Sequence, residues 1–306
     1  MRAQYIAQQL GNCRKEGRGW RCRCPLHGGT SLNLADSSSG KLLVTCWHGC
    51  DAVSVLHELR RLGLLENEAP LLSEKTFKWM ERRERERRAQ EEIERKAKQS
   101  LALAIWKETQ PIEGTPAERY LRARYINIQP PKSLRYHPGL EHGPTGLVLP
   151  CVVAAVQGVD RHICGIHRTF LKSDGSGKAT VLAPKMSLGP ISGGAVRMDF
   201  ARDNTWLLVG EGIESTLSAM QISRLPGWAA LSTSGMKALK LPPTVTMVMI
   251  AADRDQNRAG EIAANAAHER WTSEGRRVRI VFPPALLNDF NDVLRFDLAG
   301  GVQDVA

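Results

Sequence analysis

Between residues 206 and 282, short apolar runs alternate with helical patterns, and this alternation leaves few topologies open. "TWLLVG" is followed by helical "IESTLSAMQIS", short apolar "GWAALS", strand-like "TVTMVMIAAD", helical "NRAGEIAANAAHERWTSEG" and a last strand in "RRVRIVFPP". Strands separated by helices predict right-handed βαβ units, a parallel sheet, and chemistry at the carboxyl ends of its strands. Two of these strands end on acids: Glu211 closes the first and Asp253 the third, with Asp255 two residues beyond. On adjacent strands these carboxylates would share one crevice, where they repel one another unless a divalent cation neutralises them. Oxygen donors select Mg²⁺ or Mn²⁺. "NDFNDVL" adds Asp289 and Asp292 after the next strand. Taken singly, each aspartate reads as a helix cap or turn residue; the ordered set reads as a metal site.

A second donor set lies near the N-terminus. Five of the seven cysteines (Cys13, Cys22, Cys24, Cys46 and Cys50) fall in the first fifty residues. With no apolar leader in "MRAQYIAQQL", a cytoplasmic location is expected, and clustered cysteines there favour metal over disulfides. Cys24-x2-His27 and Cys46-x3-Cys50 form two knuckles that could aim four donors at one tetrahedral Zn²⁺. Gly28, Gly29 and Gly49 sit where tight knuckles need them. Cys22 in place of Cys24, or His48 in place of Cys50, would give other four-donor sets. Four protein ligands leave no open position, so the zinc is expected to be structural. Cys13, Cys151 and Cys164 read as small hydrophobes.

Composition divides the chain. Residues 1–65 are rich in Cys, His and Gly; 66–110 form a charged helical linker, with one helix expected over about 73–108 and Ser73 as its cap; 111–203 and 204–306 have globular texture. Lys and Arg total 42 against 32 Asp and Glu, a formal charge of +10, which points to phosphates of nucleic acid or nucleotides. No apolar run approaches the roughly 20 residues of a membrane span. No GxxxxGK[ST] loop appears, so any helicase motor is expected on a separate partner.

"LLVGEGIESTLSA", "MIAADRDQNRAGEIAA" and "NDFNDVL" resemble the three signatures of a Toprim domain, shared by bacterial-type primases, type IA and II topoisomerases and some nucleases. The paired knuckles resemble the zinc-binding domain of the same primases, and "GTPAERYLRARYI", "GIHRTFL" and "APKMSLGP" resemble the basic half of a primase core. The likeness spans nearly the whole chain and is nearest to the Toprim proteins of phages, plasmids and other mobile elements. It implies an α/β fold: a Toprim-type parallel-sheet domain (204–306) behind a small basic α+β subdomain (111–203) and an N-terminal zinc-binding β module (1–65). By the same resemblance Glu211 matches the catalytic acid, Asp253 and Asp255 the metal-binding pair, and Asp289 the first acid of the third signature. Tyr120, Arg124, Arg168 and Lys185 fall where the family handles template and nucleotide phosphates. Three positions depart from the pattern: Ser215 stands where replicative primases have Asp, with Glu214 just before it; Asn291 stands for a second Asp; Tyr125 replaces the usual Gly.

The implied activity is DNA primase: metal-dependent synthesis of short RNA on single-stranded DNA from nucleoside triphosphates, with a separate replicative helicase as partner. One rival is a Toprim nuclease or strand-transfer enzyme. Rejoining would need a tyrosine nucleophile on a separate domain, and the tyrosines are Tyr5, Tyr120, Tyr125 and Tyr136. The other rival is a non-catalytic zinc- and DNA-binding replication factor.

Overall fold

The computed structural model describes residues 2–38, 40–65, 74–199, 206–254 and 258–298, with backbone only for 74–78. Ser73 and Asp255 lie outside the described residues. The chain divides into two compact units, 1–86 and 87–306.

The first unit opens with helix α1 (Arg2–Leu10), followed by strands β1 (Arg14–Glu16), β2 (Gly19–Cys22), β3 (Leu32–Asp36) and β4 (Leu42–Cys46) and helix α2 (Ala52–Arg61). The strands form an antiparallel sheet in sequence order. Alternation decides which side chains go inward: Leu32 and Leu34 of β3 are buried with Ile6 of α1 and Val55 and Leu59 of α2. Asp51 caps α2 by accepting the Ser54 N–H at 2.9 Å, and Asp36 accepts the Ala3 N–H at 3.1 Å. So small a core leaves a module of this size marginal without a further staple.

Helix α3 (Glu74–Lys107) has no Gly or Pro and carries Arg82–Glu86 at 2.7 Å, Arg87–Glu91, and Arg95–Glu92 at 2.6 Å. Each exposed pair contributes only tenths of a kcal/mol. Its C-terminal end differs: Ala102 and Ile105 are buried in the second unit against Cys151, Val153, Ile166 and Phe170.

The second unit continues with α4 (Pro116–Arg122), β5 (Leu134–His142), β6 (Leu147–Gln157), β7 (Ile163–Phe170), β8 (Lys185–Leu188) and β9 (Ala195–Arg197). After these come β10 (Leu207–Gly210), α5 (Ile213–Ser223), β11 (Gly227–Ala229), α6 (Thr233–Ala238), β12 (Met247–Ala251), α7 (Ala259–Ser273), β13 (Arg277–Val281) and α8 (Phe290–Leu298). One nine-stranded sheet runs β13-β12-β10-β11-β9-β6-β7-β8, with β5 pairing β6. Pairings among β10, β11, β12 and β13 are parallel, as the alternating pattern predicts. From β9 onward they are antiparallel, so a single mixed sheet joins the two globular stretches that composition separates.

Every residue of β10 is buried because the strand is covered on both faces, which is why its sequence is uniformly apolar rather than alternating. Leu207 and Val209 pack with Ala263, Ala267 and Trp271 of α7, while Leu208 packs with Ala219 of α5. At Gly210 an added Cβ would lie 2.3 Å from Thr216 Oγ1, so glycine lets α5 close onto the strand immediately before Glu211.

Helix α4 ends in a turn where the Tyr125 N–H reaches the Arg122 carbonyl at 2.8 Å and the Ile126 N–H reaches that of Leu121 at 3.1 Å. This cap puts Tyr125 at φ 62°, a left-handed conformation that glycine adopts without strain. The usual Gly at this position thus has a backbone reason. Tyr125 is also exposed, at 41%, so little packing is lost by removing its ring. Tyr125→Gly should raise stability by about 1 kcal/mol, read as a higher midpoint in denaturant at unchanged slope; a fall would show that the ring matters more than the strain.

Candidate functional site

The zinc-type cluster is assembled by two turns. After β2, the Cys24 N–H donates to the Gly29 carbonyl at 2.7 Å and the Gly28 N–H to the Cys24 carbonyl at 2.9 Å, curling Cys24 and His27 inward. After β4, the Gly49 N–H donates to the Cys46 carbonyl at 3.1 Å and returns the chain to Cys50. The ligand atoms of Cys24, His27, Cys46 and Cys50 all lie within 4.8 Å of one another. Cys24 Sγ is 3.9 Å from Cys50 Sγ, and His27 Nε2 is 3.3 Å from Cys46 Sγ. Tetrahedral zinc with thiolate and imidazole ligands needs separations of about 3.5–3.8 Å, so the donors fit the ion. Burial and the neighbouring Cys46 and Cys24 push the Cys50 thiol up, while at Cys46 burial is outweighed by hydrogen bonds from Ser31, His27 and the His48 and Cys50 backbone, which hold it down, so the two sulfurs share one proton-linked cluster of the kind that a cation occupies. Cys22 is buried in the module core and pushed up to about 12 by that burial. His48 stacks on the His27 ring, centroids 4.3 Å apart. The structure therefore brings together the set with Cys24 and Cys50.

The acidic edge is built by register. Gly210 pairs with Ala251 across the parallel β10–β12 ladder, so Glu211 and Asp253 both leave the carboxyl ends of neighbouring strands. The Leu231 N–H donates to the Glu211 carbonyl at 2.8 Å, and the Arg254 N–H to that of Asn288 at 2.7 Å, pinning both exits. Ser215 Oγ donates to Asp253 Oδ1 at 2.8 Å. Asp289 Oδ1 accepts the Asp292 N–H at 2.8 Å, a capping bond at the start of α8. Glu211 and Asp253 offer the hard oxygen donors that Mg²⁺ or Mn²⁺ takes. Among the described residues, the Cys/His set is the one group of three or more such side chains whose ligand atoms converge; Asp255 is not among those residues.

Ser215 and Asn291, the two departures at this edge, are tied into hydrogen bonds. The Phe290 N–H approaches Ser215 Oγ at 3.4 Å. Asn291 is 1% exposed. Its Oδ1 accepts from Arg124 Nη1 at 2.9 Å, while Nδ2 donates to the Arg124 carbonyl at 2.8 Å and to Ser218 Oγ at 3.0 Å. Every polar atom of this amide is committed, and α8 is thereby locked to α5 and to the end of α4.

Glu214, the residue before Ser215, gathers the basic residues. It is buried in the first turn of α5, accepting from Tyr120 Oη at 2.6 Å and Lys185 Nζ at 2.7 Å, with Lys178 Nζ at 3.9 Å. Burial acts to raise its pKa, but Lys185 and Lys178 pull it well below the usual carboxylate range. Burial and the facing Glu214 push the Tyr120 phenol far above its ordinary value, so it remains a donor. Arg124 lies over the Tyr120 ring, 5.4 Å from its centroid. Arg168 sits differently, on β7 with its guanidinium 5.9 Å from the Phe170 centroid and Nε buried without a hydrogen-bond partner among the described residues. Sequence reasoning passed over Lys178, because "SDGSGKAT" has the look of an ordinary polar loop.

Residues 206–299 match the family model of the Toprim domain, and residues 96–198 match that of a domain of unknown function, DUF7146. The chain therefore carries a Toprim domain, in a mixed α/β fold with an N-terminal Cys/His cluster. Among solved structures it is similar to the primase fragment of the bacteriophage T7 primase-helicase protein, at 15% identity over 63% of this chain and 69% of that one, TM-score 0.39. It is also similar to the Aquifex aeolicus primase (zinc-binding and RNA polymerase domains), at 16% identity over 98% and 80%, TM-score 0.40. The DnaG primase catalytic domain bound to single-stranded DNA matches at 16% identity over 68% and 78%, TM-score 0.42. No curated protein matches the chain.

Two outcomes follow from this geometry. Cys46→Ser should lose bound zinc and open residues 1–65 to limited proteolysis while the second unit stays resistant; Cys22→Ser should keep full zinc content. Zinc retained in Cys46→Ser would exclude the four-donor set. Asn291→Asp removes two N–H donors from buried acceptors and should cost about 1–3 kcal/mol, measured by denaturant unfolding; an unchanged midpoint would show that the lock does not bear on stability.

Proposed function

We propose that the protein is a DNA primase, joining ribonucleotides on a single-stranded DNA template. The observation that carries this reading is the parallel β10–β12 register, which brings Glu211 and Asp253 to one sheet edge inside a Toprim domain. The Cys/His cluster, the charge of +10 and the gathered basic residues agree with it.

In the proposed reaction a primer 3′-hydroxyl attacks the α-phosphorus of the incoming triphosphate, and pyrophosphate leaves with the electrons of the broken P–O bond. Glu211, Asp253 and Asp255 would hold Mg²⁺ or Mn²⁺, which when bound lowers the pKa of the attacking hydroxyl and offsets charge on the phosphates. Ser215 holds Asp253 in orientation through its hydroxyl. Arg168 offers a planar fork and Lys185 a point charge to template or nucleotide phosphates, and Arg124, fixed by Asn291 and Tyr120, adds a third cation. The zinc module would help choose the start site, and strand separation would fall to a separate helicase. No helix among the described residues is long and apolar enough to cross a membrane.

One observation favours a second reading, that of a DNA-binding replication factor without turnover: Ser215 and Asn291 are engaged in hydrogen bonds where the primase pattern has carboxylates. Mg²⁺ separates the two. Full-length protein incubated with single-stranded DNA, labelled ribonucleotides and Mg²⁺ should yield short RNA, resolved by size. Asp253→Asn should abolish that product yet melt no earlier without Mg²⁺, because its side-chain oxygen can still accept from Ser215 while carboxylate repulsion is relieved. DNA binding with no product from the unmodified protein would support the second reading. An Asp253→Asn variant that melts early and still makes RNA would show the carboxylate to be structural.

A further inference from the structure

A carboxylate buried among cations needs a reason beyond stability, since apolar packing of similar volume commonly serves as well. Three separate segments reach Glu214: α4 and β8 through hydrogen bonds from Tyr120 and Lys185, and the turn before β8 through an ion pair with Lys178 at 3.9 Å. That turn is seated firmly. The Lys172 N–H donates to the Gly177 carbonyl at 3.0 Å and Leu171 bridges to Lys178. Gly175, at φ +75°, lies so close to α4 that a Cβ would stand 2.3 Å from the Pro116 carbonyl oxygen. Arg119 Nε donates to the Asp174 carbonyl at 2.8 Å. Lys178 is thus delivered to Glu214 by a turn docked on the same helix that supplies Tyr120.

The charges do not cancel. Two ammonium groups face one carboxylate, and while the Glu214 side chain is 7% exposed, those of Lys178 and Lys185 remain 30% and 34% exposed. His167, beside them on β7, stays neutral because burial and Lys185 push it down to about 4. Burial draws Lys178 down to about 8 against the pull of Glu214, so at neutral pH it is still mostly charged, and the cluster keeps net positive charge on its open side beside one carboxylate anchor. A phosphate oxygen carries the complementary charge and accepts from both lysines.

We propose that Lys178 is a further phosphate-binding residue, and that Glu214 is a positioning residue that holds Lys178 and Lys185 as a pair for one phosphate group. The inference rests on the nucleotidyl-transfer reading for its substrates, which offer that phosphate either in the DNA backbone or in the triphosphate.

The test measures binding by the full chain without Mg²⁺, across a salt series, of a fluorescent single-stranded oligonucleotide and of a fluorescent ribonucleoside triphosphate. If the phosphate belongs to DNA, Lys178→Ala should flatten the log–log salt dependence of oligonucleotide binding by about 0.7, and Lys178→Arg should restore it. If it belongs to the nucleotide, triphosphate affinity should fall about tenfold with the DNA slope unchanged. Lys178→Ala with neither effect overturns the phosphate role. In a Glu214→Gln background, Lys178→Ala should lose most of its effect, because the pair is already unanchored; an effect retained in full overturns the positioning role. Where Glu214→Gln does not fold, as judged by thermal melting, Glu214→Asp withdraws the anchor by one methylene and gives the same comparison. A wild-type protein that makes no RNA defeats the primase reading and leaves these binding results standing. Normal RNA synthesis with no binding effect of Lys178→Ala defeats the phosphate role of Lys178 alone.

Discussion

The parallel ladder between β10 and β12 is the contact from which the candidate site is derived. Its last pair, Gly210↔Ala251, leaves Glu211 one residue and Asp253 two residues beyond the carboxyl ends of neighbouring strands, and a slip of one residue would turn each strand side chain to the opposite face. The register is held from outside the ladder. Leu207 and Val209 key into α7 on one side, and Leu208 into α5 on the other, while Gly210 leaves Thr216 the space that a Cβ would take. The strand cannot shift without unpacking two helices.

Around that edge, polar groups do what apolar packing cannot: they fix direction. Asn291 ties α8 to the α4 terminus and to α5 through three hydrogen bonds. Glu214 ties α5 to α4, β8 and the turn before it. Both residues lie at or beside positions where the resemblance to primases implies carboxylates. Here those residues join the parallel half to the antiparallel half, so the two halves are registered by directional bonds as well as by the shared core of Tyr120, Leu121, Ile213, Leu217 and Val196.

Much of this was legible in the sequence, for identifiable reasons. The parallel half was legible because its central strands β10 and β11, buried throughout, read as short apolar runs between helical patterns, and the Toprim family model covers that same stretch. The Cys/His knuckles gave the convergent donor set because its residues are paired by local spacing. What sequence could not give was long-range. Lys178 and Glu214 lie 36 positions apart by number and Arg124 and Asn291 are separated by 167, and no periodic pattern encodes such meetings. The strain at Tyr125 lies in its left-handed backbone angle, which no side-chain pattern encodes. The continuity of the sheet was also hidden, since β9 is three residues long and carries no pattern of its own.

That short strand has a mechanical side. β9 meets β11 through two residue pairs, Trp228↔Arg197 and Ala229↔Val196, and β6 through two more, Val156↔Val196 and Gln157↔Ala195. A sheet of nine strands thus narrows, at its middle, to a seam with very few ladder bonds. Amide protons on either side report on separate blocks of structure when opening of the seam is easier than opening of either block. The seam is closed chiefly by buried side chains such as Val156, Val196 and Ala229, so methyl groups at those three positions, more than backbone hydrogen bonds, decide whether the two blocks breathe together or apart.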